Sequence, residues 1–276
     1  MKTPVFALVV MGLVITGAII YQPKNNLPEK SIIPAEGVVL PVSWGDLGKK
    51  LVAAGVIDEA KFKALYQQRG EFTAEDEKLL LGQNDGRLKI TPENSAYLLN
   101  LFWALGLANK NPILDSGEMT DQAYGGASGF ASTGGWTLAR GEPMAHYSQH
   151  SFINLTPAQQ ALVDKVSRGI YRPCCNNSTH FPDCNHGMAM LGLLELMAAQ
   201  GVSEEAMYQA ALAVNSYWFP DTYLTMAEYM KNKGVEWNKV SPQEMLGVNY
   251  SSASGYAKIV SQIKNPTSKS GGGCSV

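Results

Sequence analysis

The sequence predicts an all-α protein. It would be one irregular multi-helix domain with a long ordered glycine-rich loop, preceded by a single N-terminal transmembrane helix. Three observations carry this. Helix start signals, with Ser, Thr or Asp caps often followed by Pro or Glu, recur along the chain. Alternating strand patterns are nearly absent: Val38–Val42 is the one β-rich run, and Pro41 interrupts it. The run Val5–Tyr21, VFALVVMGLVITGAIIY, carries no charge.

That run comes first in the chain. As a helix at about 1.5 Å per residue it covers about 26 Å, close to the hydrocarbon thickness of a bilayer. Met1-Lys2 supplies positive charge before it, which keeps the N-terminus in the cytoplasm and puts the body outside. A cleaved signal peptide is the alternative, but bulky Ile19, Ile20 and Tyr21 stand where cleavage needs small residues. Residues 1–22 are therefore an anchor or a signal peptide. Residues 23–42 hold Pro23, Pro28, Pro34 and Pro41 and predict an extended stem.

The helical domain is expected over 43–265. Ser43 to Asp46 opens a helix carrying Leu47, Leu51 and Val52, and Asp58 caps one carrying Phe62, Leu65 and Tyr66. Thr73 to Asp76 starts another that stops at Gly82. Thr91-Pro92 precedes the apolar run Tyr97–Leu107, and Thr156-Pro157 leads a helix to Gly169. Gly187–Gln200 is an apolar helix. Ser203 starts a helix that runs through Trp218 to the stop at Pro220. Asp221 caps the next, which ends at Gly234, and Ser241-Pro242 caps a short one. Residues 109–142 are glycine-rich without a helical period, but Tyr124, Phe130 and Trp136 favour an ordered loop. Residues 266–276 form a flexible tail with Cys274 behind three glycines.

Composition narrows the class of function. The chain has 276 residues, 45% hydrophobic and 17% charged, with a net charge of −2. It can build a core, and no basic excess points to nucleic acid. The expected partners are a membrane, through residues 5–21, and a metal ion.

The metal rests on one constellation. The chain has four His and four Cys, and seven of these eight lie between positions 146 and 186. They are His146, His150, Cys174, Cys175, His180, Cys184 and His186. Such grouping of soft and borderline donors is the usual mark of metal binding, with zinc or copper first. Cys184-x-His186 falls where a loop becomes an apolar helix, and a thiolate gains from a helix N-terminus. His180 is four residues before Cys184, and His146 and His150 have the spacing of one helical face. Met188 and Met190 would favour copper as ligands, but among Leu191, Leu193 and Leu194 they read as core.

Other features are weaker. Asp164 and Glu195 read as ordinary surface-helix carboxylates. Ser132–Trp136 reads as a turn, and no G-x-S-x-G nucleophile motif is present. Catalytic residues are left unassigned.

Three functions fit. The first is a membrane-anchored extracytoplasmic protein that binds a thiophilic metal for handling or sensing. The second is a thiol–disulfide redox protein using Cys174 and Cys175, with Cys274 as resolving thiol. The third is a disulfide-stapled interaction domain without metal, since cysteines outside the cytoplasm usually pair.

Overall fold

The computed structural model describes residues 32–70, 72–264 and 266. The expected membrane segment Val5–Tyr21 and the tail cysteine Cys274 lie outside the described residues. Among the described residues, no helix is long and apolar enough to cross a membrane.

The described chain is rich in helix, as its caps and apolar periods predict. It begins with strand β1 (Val38–Gly45), followed by α1 (Leu47–Ala54), α2 (Glu59–Gln68) and α3 (Ala74–Leu81). Strand β2 (Asn84–Ile90) precedes α4 (Ser95–Ala108) and the short α5 (Pro112–Ser116). Then come α6 (Pro157–Gly169), α7 (Asn185–Ala199), α8 (Glu204–Trp218) and α9 (Pro220–Asn232). Short α10 (Pro242–Leu246), α11 (Val248–Ser251) and α12 (Ala253–Val260) complete the order.

Three caps are the ones the residue types require, whereas Asp46 makes no side-chain cap bond and Asp221 falls inside the first turn of a helix that starts at Pro220. Asp58 accepts from the Lys61 amide. Thr73 and Thr156 each form a reciprocal capping box, with Asp76 and Gln159 respectively.

The two strands correct the strand-free expectation. They pair antiparallel, Val38 opposite Ile90 and Gly45 opposite Asn84, with irregular register between. Leu40, Val42 and Trp44 are buried at period two, so Pro41 falls on the outward side. A two-stranded sheet has only edge strands, and there a proline costs no ladder bond on the unpaired side. The strand also reaches back to Val38, into the stretch the sequence assigns to the stem.

The core is built around α4 and α7. Both are buried on all sides: α4 from Tyr97 to Ala108, α7 from Asn185 to Ala198. That explains their lack of a polar face. They cross closely because glycines meet at the crossing. A Cβ on Gly106 would lie 2.1 Å from the Met188 carbonyl oxygen, and one on Gly192 would lie 2.4 Å from that of Phe102. Helices α6 and α8 pack on this pair, and β1 packs on α7 and α8. Trp44 meets Phe102 edge to face at 5.8 Å.

The glycine-rich stretch 109–142 is packed toward its two ends, while none of residues 120–131 is buried. It holds α5 and three single-turn 3₁₀ segments, and it buries Met119, Ser132, Thr133, Trp136 and Ala139. The Trp136 indole donates to the Val56 carbonyl at 2.8 Å, and that of Trp103 donates to Ser132 at 2.7 Å. Tyr124, Phe130 and Phe181 form an aromatic cluster that joins this stretch to the loop before α7.

Candidate metal centre

The loop 170–184 between α6 and α7 carries the cysteines, and it is tied down on several sides. The Tyr171 amide donates to the Leu246 carbonyl at 2.8 Å, and Thr179 donates to Ile170 at 2.8 Å. The Ala253 amide donates to the Cys175 carbonyl at 2.8 Å, and the Ser132 amide donates to Asp183 at 3.2 Å. Backbone groups satisfied in this way hold the side chains in fixed positions.

Cys184 is the N-cap of α7, and its sulfur accepts from the Gly187 amide at 3.4 Å. The unpaired amides and the dipole of a helix start favour a thiolate there. The Cys174 sulfur lies 3.7 Å from that of Cys184. None of Cys174, Cys175 and Cys184 is in a disulfide. A disulfide bond is about 2.05 Å long. Two sulfurs on one tetrahedral zinc ion, each at about 2.3 Å, stand roughly 3.8 Å apart. The observed spacing matches two thiolate ligands on one ion.

The third candidate donor is His186, in the first turn of the same helix. One ligand atom from each of Cys174, Cys184 and His186 falls within 4.8 Å of the others. His186 is 4% exposed and lies against Phe219, ring centroids 4.4 Å apart, and Trp218 at 5.7 Å. Its Nδ1 is buried and has no hydrogen-bond partner among the described residues. A buried imidazole beside two sulfurs, with one ring nitrogen unpartnered, has the makings of a metal ligand. Burial is the largest influence on its titration, with Arg172 adding to it and Cys184 opposing. Together they push the imidazole down to about 4, so the ring is neutral, the form that ligates.

A second group shares Cys184. Ligand atoms of Cys175, Asp183 and Cys184 also lie within 4.8 Å of one another. The Arg172 guanidinium, with no exposed side-chain surface, sits among them. Its Nη2 donates to Asp183 Oδ1 at 2.8 Å and to Cys175 Sγ at 3.3 Å, and its Nε donates to Cys184 Sγ at 3.3 Å. Asn177 donates to the other Asp183 oxygen at 2.9 Å. The hydrogen bond between Cys174 and Cys175 has the largest single effect on Cys175 and lowers its pKa. Cys184 and burial outweigh it, and the Cys175 thiol is pushed up to about 11. Arg172 gave no signal in the sequence beyond its place two residues before Cys174.

The structure places the other predicted donors elsewhere. His180 Nε2 lies 2.8 Å from Asp164 Oδ1 and 2.8 Å from Arg168 Nη2. Its ring lines an open groove of about 600 Å³ between α5 and α6. Asp164 is the surface carboxylate its sequence setting suggests. Burial alone would raise its pKa, but Arg168 and His180 together hold it below the usual range. His146 and His150 pair with each other: Nδ1 of the first is 3.1 Å from Nε2 of the second, and the rings stack at 5.3 Å. Phe152 stacks on His150 at 5.1 Å, and burial, then His146, lowers the His150 pKa. Met188 and Met190 are core residues with no exposure.

Glu195 departs most from expectation. It is no surface carboxylate but is fully buried on α7. Asn109 Nδ2 donates to one oxygen at 3.1 Å, and Asn111 Nδ2 donates to the other. Burial, the largest influence, outweighs these two hydrogen bonds and raises its pKa well above the ordinary carboxylate value.

No family model matches the chain, and neither a curated protein nor a solved structure matches it.

Proposed function

We propose that this is a membrane-anchored, extracytoplasmic protein that binds a thiophilic metal, zinc or copper, for metal handling or sensing. The ion would sit on Cys174, Cys184 and His186. The observation that carries this reading is the 3.7 Å spacing of two reduced sulfurs beside a neutral, buried imidazole with an unpartnered nitrogen. Thiolate and imidazole together suit zinc and copper and disfavour magnesium and calcium. Three protein donors leave a position open for a further ligand, as in sites that exchange or act on what they bind. The anchor rests on the uncharged run Val5–Tyr21.

Full-length protein purified in reductant without chelator is expected to carry near-stoichiometric zinc or copper by elemental analysis. Cys184→Ser should lose most of it. A folded protein with no metal, which also fails to take up zinc or copper under reducing conditions, would contradict the reading. The Cys174–Cys184 pair would then stand as a disulfide pair, with thiol counting before and after reduction as the check.

A further inference from the structure

The metal reading leaves an oddity. Two donor groups meet at Cys184, yet the described residues hold one fully buried cation among them. Cys175, Asp183 and Cys184 look like a second metal site by residue type. By geometry they are the partners of a guanidinium.

Arg172 reaches all three within 3.3 Å, and it has no exposed side-chain surface. The fold makes room for it at one point in particular. A Cβ on Gly187 would lie 2.7 Å from the Arg172 Cζ, so the guanidinium lies against the bare first turn of α7. Gly187 is also the residue whose amide binds Cys184. The residue that caps the helix and the residue that admits the arginine are thus part of one arrangement.

We propose that Arg172 is a specificity-determining residue that fills the second donor group, so that the centre takes one metal ion and Cys175 stays off it. This rests on the metal reading above. Charge supports it. Two ligating thiolates and the Asp183 carboxylate contribute three negative charges. One divalent ion and the guanidinium contribute three positive charges, and the centre is neutral. A second divalent ion, with Cys175 as a further thiolate, would leave one uncompensated positive charge beside the guanidinium in a buried place, where unpaired charge is costly. It would also have to displace a guanidinium that already satisfies the donors it needs. Cys175 points its sulfur toward the Asn177 carbonyl and Asp183 at 3.9 Å each, contacts in which a neutral S–H is the donor.

Cobalt(II) is the probe, because its thiolate charge-transfer absorption reports sulfur bonded to metal. Reduced, metal-free full-length protein is titrated with cobalt, and bound metal is counted. The wild type should saturate at one ion. Arg172→Met should take a second ion with added charge-transfer intensity as Cys175 joins. Arg172→Lys, which restores a cation, should bring the count back toward one. If Arg172→Met does not fold, Cys175→Ser carries the test: it should keep one ion at full intensity.

A wild type that binds two ions, an Arg172→Met protein that binds only one at unchanged intensity, or a Cys175→Ser protein that loses intensity would each overturn the inference while leaving the metal reading intact. A wild type that binds none would overturn the metal reading itself.

Discussion

Glu195→Ala is expected to destabilise the protein by about 3–5 kcal/mol, by leaving a cavity and two buried Asn amides without an acceptor. The two amides have no alternative. The Asn109 side-chain oxygen already accepts from the Ile153 amide at 2.8 Å, and that of Asn111 accepts from Ile113 at 2.9 Å and from Gln160 at 3.0 Å. Their NH2 groups are therefore fixed toward Glu195. The same geometry predicts a pH dependence. The folded pKa of Glu195 is raised above its unfolded value, so the folded state holds the proton more tightly. Its contribution to stability is complete below the unfolded pKa of about 4.3 and is lost as pH rises through the folded value. One such group adds a slope of up to about 1.4 kcal/mol per pH unit within that window. Glu195→Gln should remove this slope while keeping the shape of the side chain. Urea unfolding at a series of pH values measures both effects. Equal slopes in the wild type and Glu195→Gln would show that Glu195 ionises freely in the fold.

The second large effect is the dependence of stability on metal. Ligands gathered from a loop and a helix start form no site in the unfolded chain, so binding free energy becomes folding free energy. At a free-ion concentration a thousandfold above the dissociation constant, the gain is about 4 kcal/mol. Chelation of the wild type should lower the unfolding midpoint by the corresponding amount. Cys184→Ser should start near the chelated wild type and respond little to chelator. Thermal or urea unfolding with and without chelator decides the matter. A Cys184→Ser protein as stable as the metal-loaded wild type would contradict this coupling.

Parts of the centre were legible in the sequence, and the reasons are specific. Cys184 and His186 are two residues apart at a helix start, so local structure alone brings them together. Cys174 joins them because the loop from Arg172 to Asp183 folds back on itself, which its confinement between two helices makes short-range. His180, His146 and His150 share the same stretch of sequence but not its place. His180 faces the groove beside α6, and the other two stack with Phe152 in the segment after the glycine-rich stretch. Nearness along the chain implied a cluster that the turns of the chain divide.

Two features were misread or missed for opposite reasons. Glu195 stands in LGLLELMAA, with apolar residues on every side of the helix. A helix apolar all round is buried, so the burial of its one carboxylate was readable from the same pattern. Arg172 had no comparable signal. An arginine near cysteines is ordinary, and only the space left by Gly187 shows that the guanidinium is enclosed. The β1–β2 pair was missed because Pro41 reads as a strand breaker, whereas the alternation of Leu40, Val42 and Trp44 was the stronger signal.

X-ray absorption at the metal edge of the loaded full-length protein tests the central claim most directly. The account predicts a shell of two sulfurs at about 2.3 Å with one imidazole nitrogen at about 2.0–2.1 Å. A shell of oxygen and nitrogen alone would contradict it, because the ion would then lie away from Cys174 and Cys184.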